Sequence, residues 1–356
     1  MLITSLRKPA TTTAALFVLL AAAGASGQVE RRALSGARVA IYNLAGKVRV
    51  QAGSGSQVVV DVTPRGRDGG QLKVATGDVR GWESLRVIYP SDRIVYPEMG
   101  YRSRTQMRVN SDGTFDDRGH SGFFDRERVE IRDSGAGLEA YADLVVSVPR
   151  GQRIAIHWGV GDANVSNVDG DILVSVGSAT VTAEHTRGRL NLDTGSGSVT
   201  LTDAQGDVTL DTGSGSVTVN GVTGESLNLD TGSGTIRASD VDVKTLKADV
   251  GSGGMRLARV KAPRVDLDAG SGGIDLDLLS AIDDLHIDSG SGPVTVRLPA
   301  TLSADVDIET SSGGIDSDFA VQATRFERHH LRGRIGDGRG RVRIESGSGH
   351  VRLIKN

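Results

Sequence analysis

The sequence predicts an all-β fold, a single-chain β-solenoid of the parallel β-helix type with coils of roughly 18–21 residues. Three observations predict it. A Gly-Ser-Gly phrase recurs at a nearly constant spacing, and apolar residues alternate with polar residues on both sides of the phrase. The composition, with 48 glycines and 4% aromatic residues, fits thin layers and frequent turns. No stretch has a convincing helical period.

The repeat is defined by the first residue of each phrase, which we use as a marker. The step between successive markers is nearly constant as far as Ser311, and the last marker follows after almost two such steps. With coils about 4.8 Å apart, ten of them form a rod of roughly 45 Å. A sandwich of similar hairpins is the competing architecture, and the near-constant period favours the solenoid. The markers are Gly159, Gly177, Gly195, Gly213, Gly232, Gly251, Gly270, Gly290, Ser311 and Gly347.

The residues around each marker indicate two short strands. Leu190 and Leu192 precede Gly195, Val199 follows it, and the other repeats carry apolar residues at the same positions. Apolar residues two apart, with polar residues between them, have the period of a half-buried strand. Because two short strands cannot bury their inner face alone, the repeats are expected to stack.

An acidic residue lies two positions before most markers, and strand parity points it outward. Like charges stacked one coil apart repel, so this column needs a reason. One is local: the carboxylate closes an Asx-turn with a backbone amide two residues on. The other is weak cation binding, calcium above all. We favour turn closure, because the calcium nonapeptide motif places its Asp after the glycines. The aspartates are Asp193, Asp211, Asp230, Asp249, Asp268 and Asp288.

Residues 1–27 have the features of a signal peptide. Arg7 and Lys8 supply positive charge, Ala14–Ala23 is apolar, and small residues follow. Export to the periplasm, the cell surface or the medium is therefore expected, with no transmembrane span after cleavage; an uncleaved anchor is the alternative. The chain has no cysteine and therefore forms no disulfide.

The remainder divides into an N-terminal β region or cap, residues 28–150, and the repeat region, residues 151–356. Residues 38–62 resemble an opening strand pair of the same body, and residues 90–137 interrupt the β pattern. The repeat region contains an arginine-rich loop at 325–341.

Two segments outside the repeat pattern are candidate binding surfaces. Aromatic residues and arginine favour interfaces, so the excursion at 90–137 is either a contact surface or a cover for the first coil. The arginine-rich loop is either a site for phosphate or an anionic polysaccharide, or a solvated connection. The candidates are Tyr96, Tyr101, Arg102, Arg104, Phe115, Phe123 and Phe124 in the excursion, and Arg328, Arg332 and Arg334 in the loop.

Catalysis finds little support in the sequence. The nucleophile-elbow and zinc-protease motifs are absent, and the glycines lack the strand-to-helix context of a nucleotide loop. No cofactor and no catalytic residue are predicted. The formal net charge of -3 gives no reason to expect a nucleic-acid partner. A polysaccharide lyase or hydrolase that uses the outward acids stays as the alternative.

Four stretches carry a resemblance to a known family. They are IYNLAGKVRV at 41–50, DLVVSVPRG at 143–151, the Gly-Ser-Gly repeats, and GRIGDGRGRVRIESGSGHVRL at 333–353. Together they resemble the bacterial putative-adhesin family, exported envelope proteins with a domain of unknown function. The resemblance covers roughly residues 38–353, and the excursion departs from it. It implies a right-handed β-solenoid at the cell envelope and no catalytic residue. We therefore expect a non-enzymatic binding or scaffold protein whose partner is an envelope component, a surface glycan or a protein.

Overall fold

The structure is a computed structural model that describes residues 28–115 and 126–356. The predicted signal peptide, residues 1–27, lies outside the described residues, as do the candidates Phe123 and Phe124. No helix in the two described ranges is long and apolar enough to cross a membrane.

The regular secondary structure of the described chain is β-strand, apart from one short 3-10 turn at Gly69–Gln71. The strands are β1 (Glu30–Leu34), β2 (Arg38–Ala52), β3 (Val58–Arg65), β4 (Lys73–Val79), β5 (Trp82–Ile88), β6 (Arg93–Val95), β7 (Arg104–Asn110), β8 (Arg126–Arg132), β9 (Tyr141–Val148), β10 (Gln152–Ser166), β11 (Asp169–Ser178), β12 (Val181–Ser196), β13 (Val199–Gln205), β14 (Val208–Ser214), β15 (Val217–Ser233), β16 (Ile236–Ser252), β17 (Met255–Lys261), β18 (Arg264–Ala269), β19 (Ile274–Leu278), β20 (Asp284–Ser289), β21 (Val294–Leu298), β22 (Ala304–Thr310), β23 (Ile315–Ser317), β24 (Gln322–Glu327), β25 (His330–Ile335), β26 (Gly340–Ser346) and β27 (Val351–Lys355).

Successive repeats lie side by side in parallel register. Ile172 pairs with Leu190, Leu190 with Val208, and Val208 with Leu227. The two members of each pair are one marker step apart in the sequence. The strands that follow the corners form a second parallel ladder, in which Val199 pairs with Val217. The all-β prediction is confirmed, and as far as the Gly290 repeat each repeat lies on the one before it.

The inward-facing residues form one continuous core. A single hydrophobic cluster runs from Leu34 to Leu353 and contains the buried Val, Leu and Ile columns of every repeat. Residues from the N-terminal region, such as Val60 and Val146, belong to the same cluster. The division at residue 150 therefore separates two parts of one core, and its role as a domain boundary stays a prediction.

The last repeat does not occupy the end of the stack. Strand β26 pairs with β20 on one side and with β22 on the other, so the Gly347 repeat lies between the Gly290 and Ser311 repeats. One row of outward charges favours this order, although another row, Asp288, Glu345 and Glu309, does not. Asp284 of β20 and Asp305 of β22 both pair with Arg341. Direct stacking of β22 on β20 would oppose two carboxylates, whereas the inserted strand places an arginine between them.

The excursion covers the first coils. Strands β6, β8 and β7 form a separate three-stranded sheet. Its apolar side chains pack on the outward face of β2 and β10 in a second buried cluster that includes Tyr42, Leu44 and Ala155. Strand β2 is thus buried on both faces, since Val39 and Ile41 belong to the main core. Of the two sequence interpretations, the structure supports the cover.

The segment predicted as an arginine-rich loop, 325–341, is mostly strand. Strands β24 and β25 form an antiparallel hairpin, and β26 begins at Gly340. The loop prediction was wrong because the many arginines hid an alternation: Leu331 and Ile335 are buried on the core face, while Arg332 and Arg334 point outward.

Candidate functional site

Two of the predicted binding residues are not at the surface. Tyr96 is 1% exposed and Phe115 is 2% exposed, and both lie in the cluster beneath the excursion. The Tyr96 ring packs edge-on against Tyr141, and Phe115 packs edge-on against Tyr42. Their assignment to a contact surface was wrong, because these rings fill the space between the excursion and the first coils. The sequence feature that indicated this burial is the apolar run VAIY in β2, which is typical of a strand buried on both faces.

The rest of the described excursion candidates form a small exposed patch. Tyr101 is 84% exposed, and the Arg102 guanidinium carbon lies 5.2 Å from the centre of its ring. The Arg102 amide donates to Asp133 Oδ2 at 3.0 Å, which anchors this turn to the end of β8. Arg104 begins β7 and is exposed. This patch offers one aromatic ring and two cations on a turn and a strand end.

A groove near the other end of the stack brings four arginines together. It has a volume of about 670 Å³ and lies on the outward face of β26, β22 and β25. Arg341 and Arg343 of β26 form one wall, and Arg332 and Arg334 of β25 form the other. We call it the arginine groove. Sequence reasoning singled out Arg332 and Arg334 and missed Arg341 and Arg343, whose proximity depends on the inserted last repeat.

The floor of the arginine groove carries two carboxylates, from Asp305 and Asp307 of β22. Arg334 Nε lies 2.8 Å from Asp305 Oδ1, whereas Arg332 Nε lies 3.9 Å from Asp307 Oδ2. Among the residues that line the groove, the four guanidinium groups outnumber the two carboxylates by two. One of the four, Arg343, also pairs with Glu345 at the next outward position of β26, which leaves an excess of one positive charge. Facing rows of guanidinium groups, two strands or about 9.6 Å apart, suit an anion that can accept paired hydrogen bonds.

The remaining loop candidate, Arg328, lies outside the groove, in the turn between β24 and β25. The excursion patch is also separate. Eight strand-to-strand steps, through β11, β12, β14, β15, β16, β18 and β20, join β10 to β26, a distance of about 38 Å. The structure therefore divides the predicted binding residues between two surfaces.

The acidic column is continuous along the outward face. The six aspartates from Asp193 to Asp288 pair in register, and Glu345 and Glu309 extend them in that order. Partial burial, reinforced by the carboxylates of Asp211 and Asp249, raises the pKa of Asp230. The same causes, burial first and then the neighbouring Asp249 and Asp288, raise the pKa of Asp268. The column is thus a line of mutually repelling charges.

Turn closure is not what the structure contains at three of these aspartates. Among the described residues, no hydrogen bond joins the carboxylate of Asp211, Asp230 or Asp249 to the amide two residues on. The next residue does the bonding instead. Thr212 Oγ1 donates to the Gly197 carbonyl at 3.0 Å, and Thr231 Oγ1 donates to the Gly215 carbonyl at 2.9 Å. This threonine has the opposite strand parity to the aspartate, so its hydroxyl is buried against the corner glycines.

The acidic column also offers no distinct chemical centre. Within residues 28–115 and 126–356, no three His, Asp or Glu side chains are grouped as ligands for a metal ion. The raised pKa values recur at Asp230 and Asp268, two repeats apart, for the same reason. A glycosidase pair requires two carboxylates with different environments at one scissile bond. Nothing in the column favours the polysaccharide-active alternative.

Comparisons with known proteins point to one family and to no defined activity. Residues 138–353 match the model of the Toastrack DUF4097 family, a range that includes the arginine groove and all of the repeat region except its last three residues. No curated protein has a significant match to the chain. One solved structure, a putative cell adhesion protein from Clostridium sporogenes ATCC 15579, aligns over 92% of this chain and 100% of its own, with 9% identity and a TM-score of 0.20. A likeness of that size carries no argument about function.

Proposed function

The chain belongs to the Toastrack DUF4097 family, and from this premise we propose that it is a non-enzymatic, exported cell-envelope protein of the adhesin-like kind. In this proposal it is a right-handed β-solenoid that serves as a rigid scaffold and binds an acidic glycan of the cell surface. The observation that carries the binding role is the arginine groove, which holds two more guanidinium groups than carboxylates.

The geometry of the groove supports a linear acidic glycan rather than a small anion. The two arginine walls stand on β26 and β25, with β22 between them, so the guanidinium groups form two rows along the strands rather than one cluster. A polymer whose carboxylates recur along its length can reach both walls. The groove is open and on a flat sheet face, and its strands are fixed by ladders on both sides. Binding therefore needs little rearrangement of the protein.

Export rests on residues 1–27, with their basic start, apolar run and small residues. It is tested by sequencing the amino terminus of the protein recovered from the producing cells. A mature start close to residue 28 in the envelope or medium supports export, and an intact Met1 in the cytosol contradicts it.

The binding role is tested by calorimetric titration of the purified protein with polygalacturonate, a polyuronate, and with uncharged dextran. Binding to the polyuronate alone is expected, weakening as salt is added. Arg334→Gln and Arg341→Gln should each reduce the affinity at least fivefold. Two matched controls, Arg352→Gln on β27 of the same repeat and Arg104→Gln in the excursion patch, should leave it unchanged.

Each part of the proposal can fail separately. Equal loss with Arg104→Gln would move the site away from the groove, and no binding to any acidic glycan would remove the ligand class. Release of new reducing ends or of unsaturated sugars during incubation would replace the scaffold by an enzyme.

A further inference from the structure

The end of the stack beyond the arginine groove has an open strand edge. Within residues 28–115 and 126–356, strand β24 is paired with β25 alone, and all six of its residues, from Gln322 to Glu327, are exposed. An unpaired edge presents backbone N–H and C=O groups that can pair with another strand. Phe326 is 77% exposed, and among the described residues it is the one exposed large apolar side chain that lies in a strand.

The backbone groups at this edge belong to Phe326 and its alternate neighbours. The two-residue turn after Glu327 makes Glu327 and His330 the closing pair of the hairpin. Since hydrogen-bonded and non-bonded pairs alternate in an antiparallel ladder, Glu327 and Arg325 direct their backbone groups toward β25. Those of Phe326 then point away from β25, to the open edge.

The sequence of β24 is complementary to itself about Phe326. In an antiparallel pair of two β24 strands with the two-fold axis at Phe326, the two Phe326 residues exchange both backbone hydrogen bonds. Arg325 of each copy then lies opposite Glu327 of the other, twice over. Opposite charges directly across a ladder stabilise it. Within one chain these two side chains already form a bidentate pair, with Arg325 Nε 2.8 Å from Glu327 Oε1.

The exposed ring has a place in the same arrangement. Phe326 pairs with Leu331, which is buried, so the ring stands on the core side of the sheet but extends past the end of the core. Two Phe326 rings meet on that side across the two-fold axis and cover each other. The irregular register between Ala323 and Arg325 confines the pairing to the part of β24 next to the turn.

We propose that two copies of this chain join end to end through antiparallel pairing of β24, with the two-fold axis at Phe326. The result is a rod of twice the length with an arginine groove on each side of the junction. The inference does not depend on the ligand of the groove, because Arg325, Phe326 and Glu327 are not among the residues that line it.

The test is sedimentation velocity of the full purified chain over a range of concentrations. The wild type should move from monomer to dimer. Arg325→Glu and Glu327→Arg each oppose like charges across the axis, and each should weaken dimerisation at least tenfold. An equimolar mixture of these two variants should form a heterodimer, because two acidic side chains of one copy then face two arginines of the other. The double variant Arg325→Glu/Glu327→Arg should recover the homodimer, and Phe326→Asp should abolish it.

The fold is monitored through the same series by circular dichroism, and the exposed position of all three residues makes a loss of fold unexpected. A wild type that stays monomeric up to about 1 mM overturns the inference. So does a dimer that the charge variants and Phe326→Asp leave intact, since its contact would lie elsewhere.

Discussion

Replacing the corner glycine Gly253 by alanine should cause a large loss of stability, because two separate costs meet there. Its φ of +144° lies in a region that L side chains rarely adopt. An alanine Cβ would also lie 1.6 Å from the Gly234 carbonyl oxygen of the preceding coil, whereas real Cβ atoms essentially never come closer than 3.0 Å to another heavy atom. The two backbones would have to move apart until that distance is reached. The displacement falls on the bond from the Gly234 amide to the Ser252 carbonyl, now 3.1 Å.

The magnitude follows from these two costs. A φ in so sparsely populated a region costs about 1–3 kcal/mol for a residue with a Cβ. A strained or lost ladder hydrogen bond adds about 1 kcal/mol, or up to about 3 kcal/mol if its groups are left buried and unpaired. Gly253→Ala should therefore lower the free energy of unfolding by about 2–6 kcal/mol. Gly151→Ala is the matched control, because its φ is +77° but nothing lies within 4 Å of the added Cβ. It should lose about 1–2 kcal/mol, the backbone part alone.

Urea unfolding followed by circular dichroism gives the two free energies, and amide hydrogen exchange shows whether protection falls first around residues 234 and 252. Exchange is needed because stacked repeats do not always unfold as one unit. If Gly253→Ala is no more destabilising than Gly151→Ala, the close stacking of the corners is not what requires glycine, and the reasoning fails.

Three further predictions concern the corner, the acidic column and the end of the stack. Thr231→Val should cost about 1–3 kcal/mol in urea unfolding by leaving the Gly215 carbonyl without its donor, while exposed Thr218→Val should be nearly neutral. Asp230→Asn should raise the urea midpoint at pH 7 by a small amount, less than about 1 kcal/mol because solvent screens the column. The pKa of Asp230 is raised in the folded protein, so ionisation of its carboxylate opposes folding above that pKa. The stability gained by Asp230→Asn should therefore disappear as the pH falls through the folded pKa toward about 3.9, and added salt should also diminish the gain. A gain that persists at pH 3 contradicts this role of Asp230. Deleting residues 340–356 should also remove the protection of amides 304–335 from hydrogen exchange, because β22 contacts the rest of the stack through β26. If those amides stay protected, β22 can stack on β20 directly.

The period and the inside-outside pattern of the repeats could be predicted from sequence because each follows from local geometry. A strand alternates its side chains with period two, so Leu192 and Asp193 had to face opposite ways. The same rule also identifies Thr194 as inward, and its hydroxyl is indeed buried. The sequence nevertheless predicted that the aspartate closes the corner, because an Asx-turn is a common role for Asp before Thr-Gly. Strand parity distinguishes the threonine from the aspartate, because only an inward side chain can donate to the glycine carbonyl of the neighbouring coil.

The order of the coils could not be predicted from the repeated phrase, because every repeat presents the same inner columns and any coil can stack on any other. The information lies in the outward residues, which differ. Asp284 of β20 and Asp305 of β22 both lie opposite Arg341 of β26. A charge that is exposed and weak for stability can still select between two arrangements whose cores are equally good, because only the difference between them matters. The arginine groove is a consequence of that order: β26, the strand that places Arg341 between Asp284 and Asp305, is also the one that supplies the second wall of the groove.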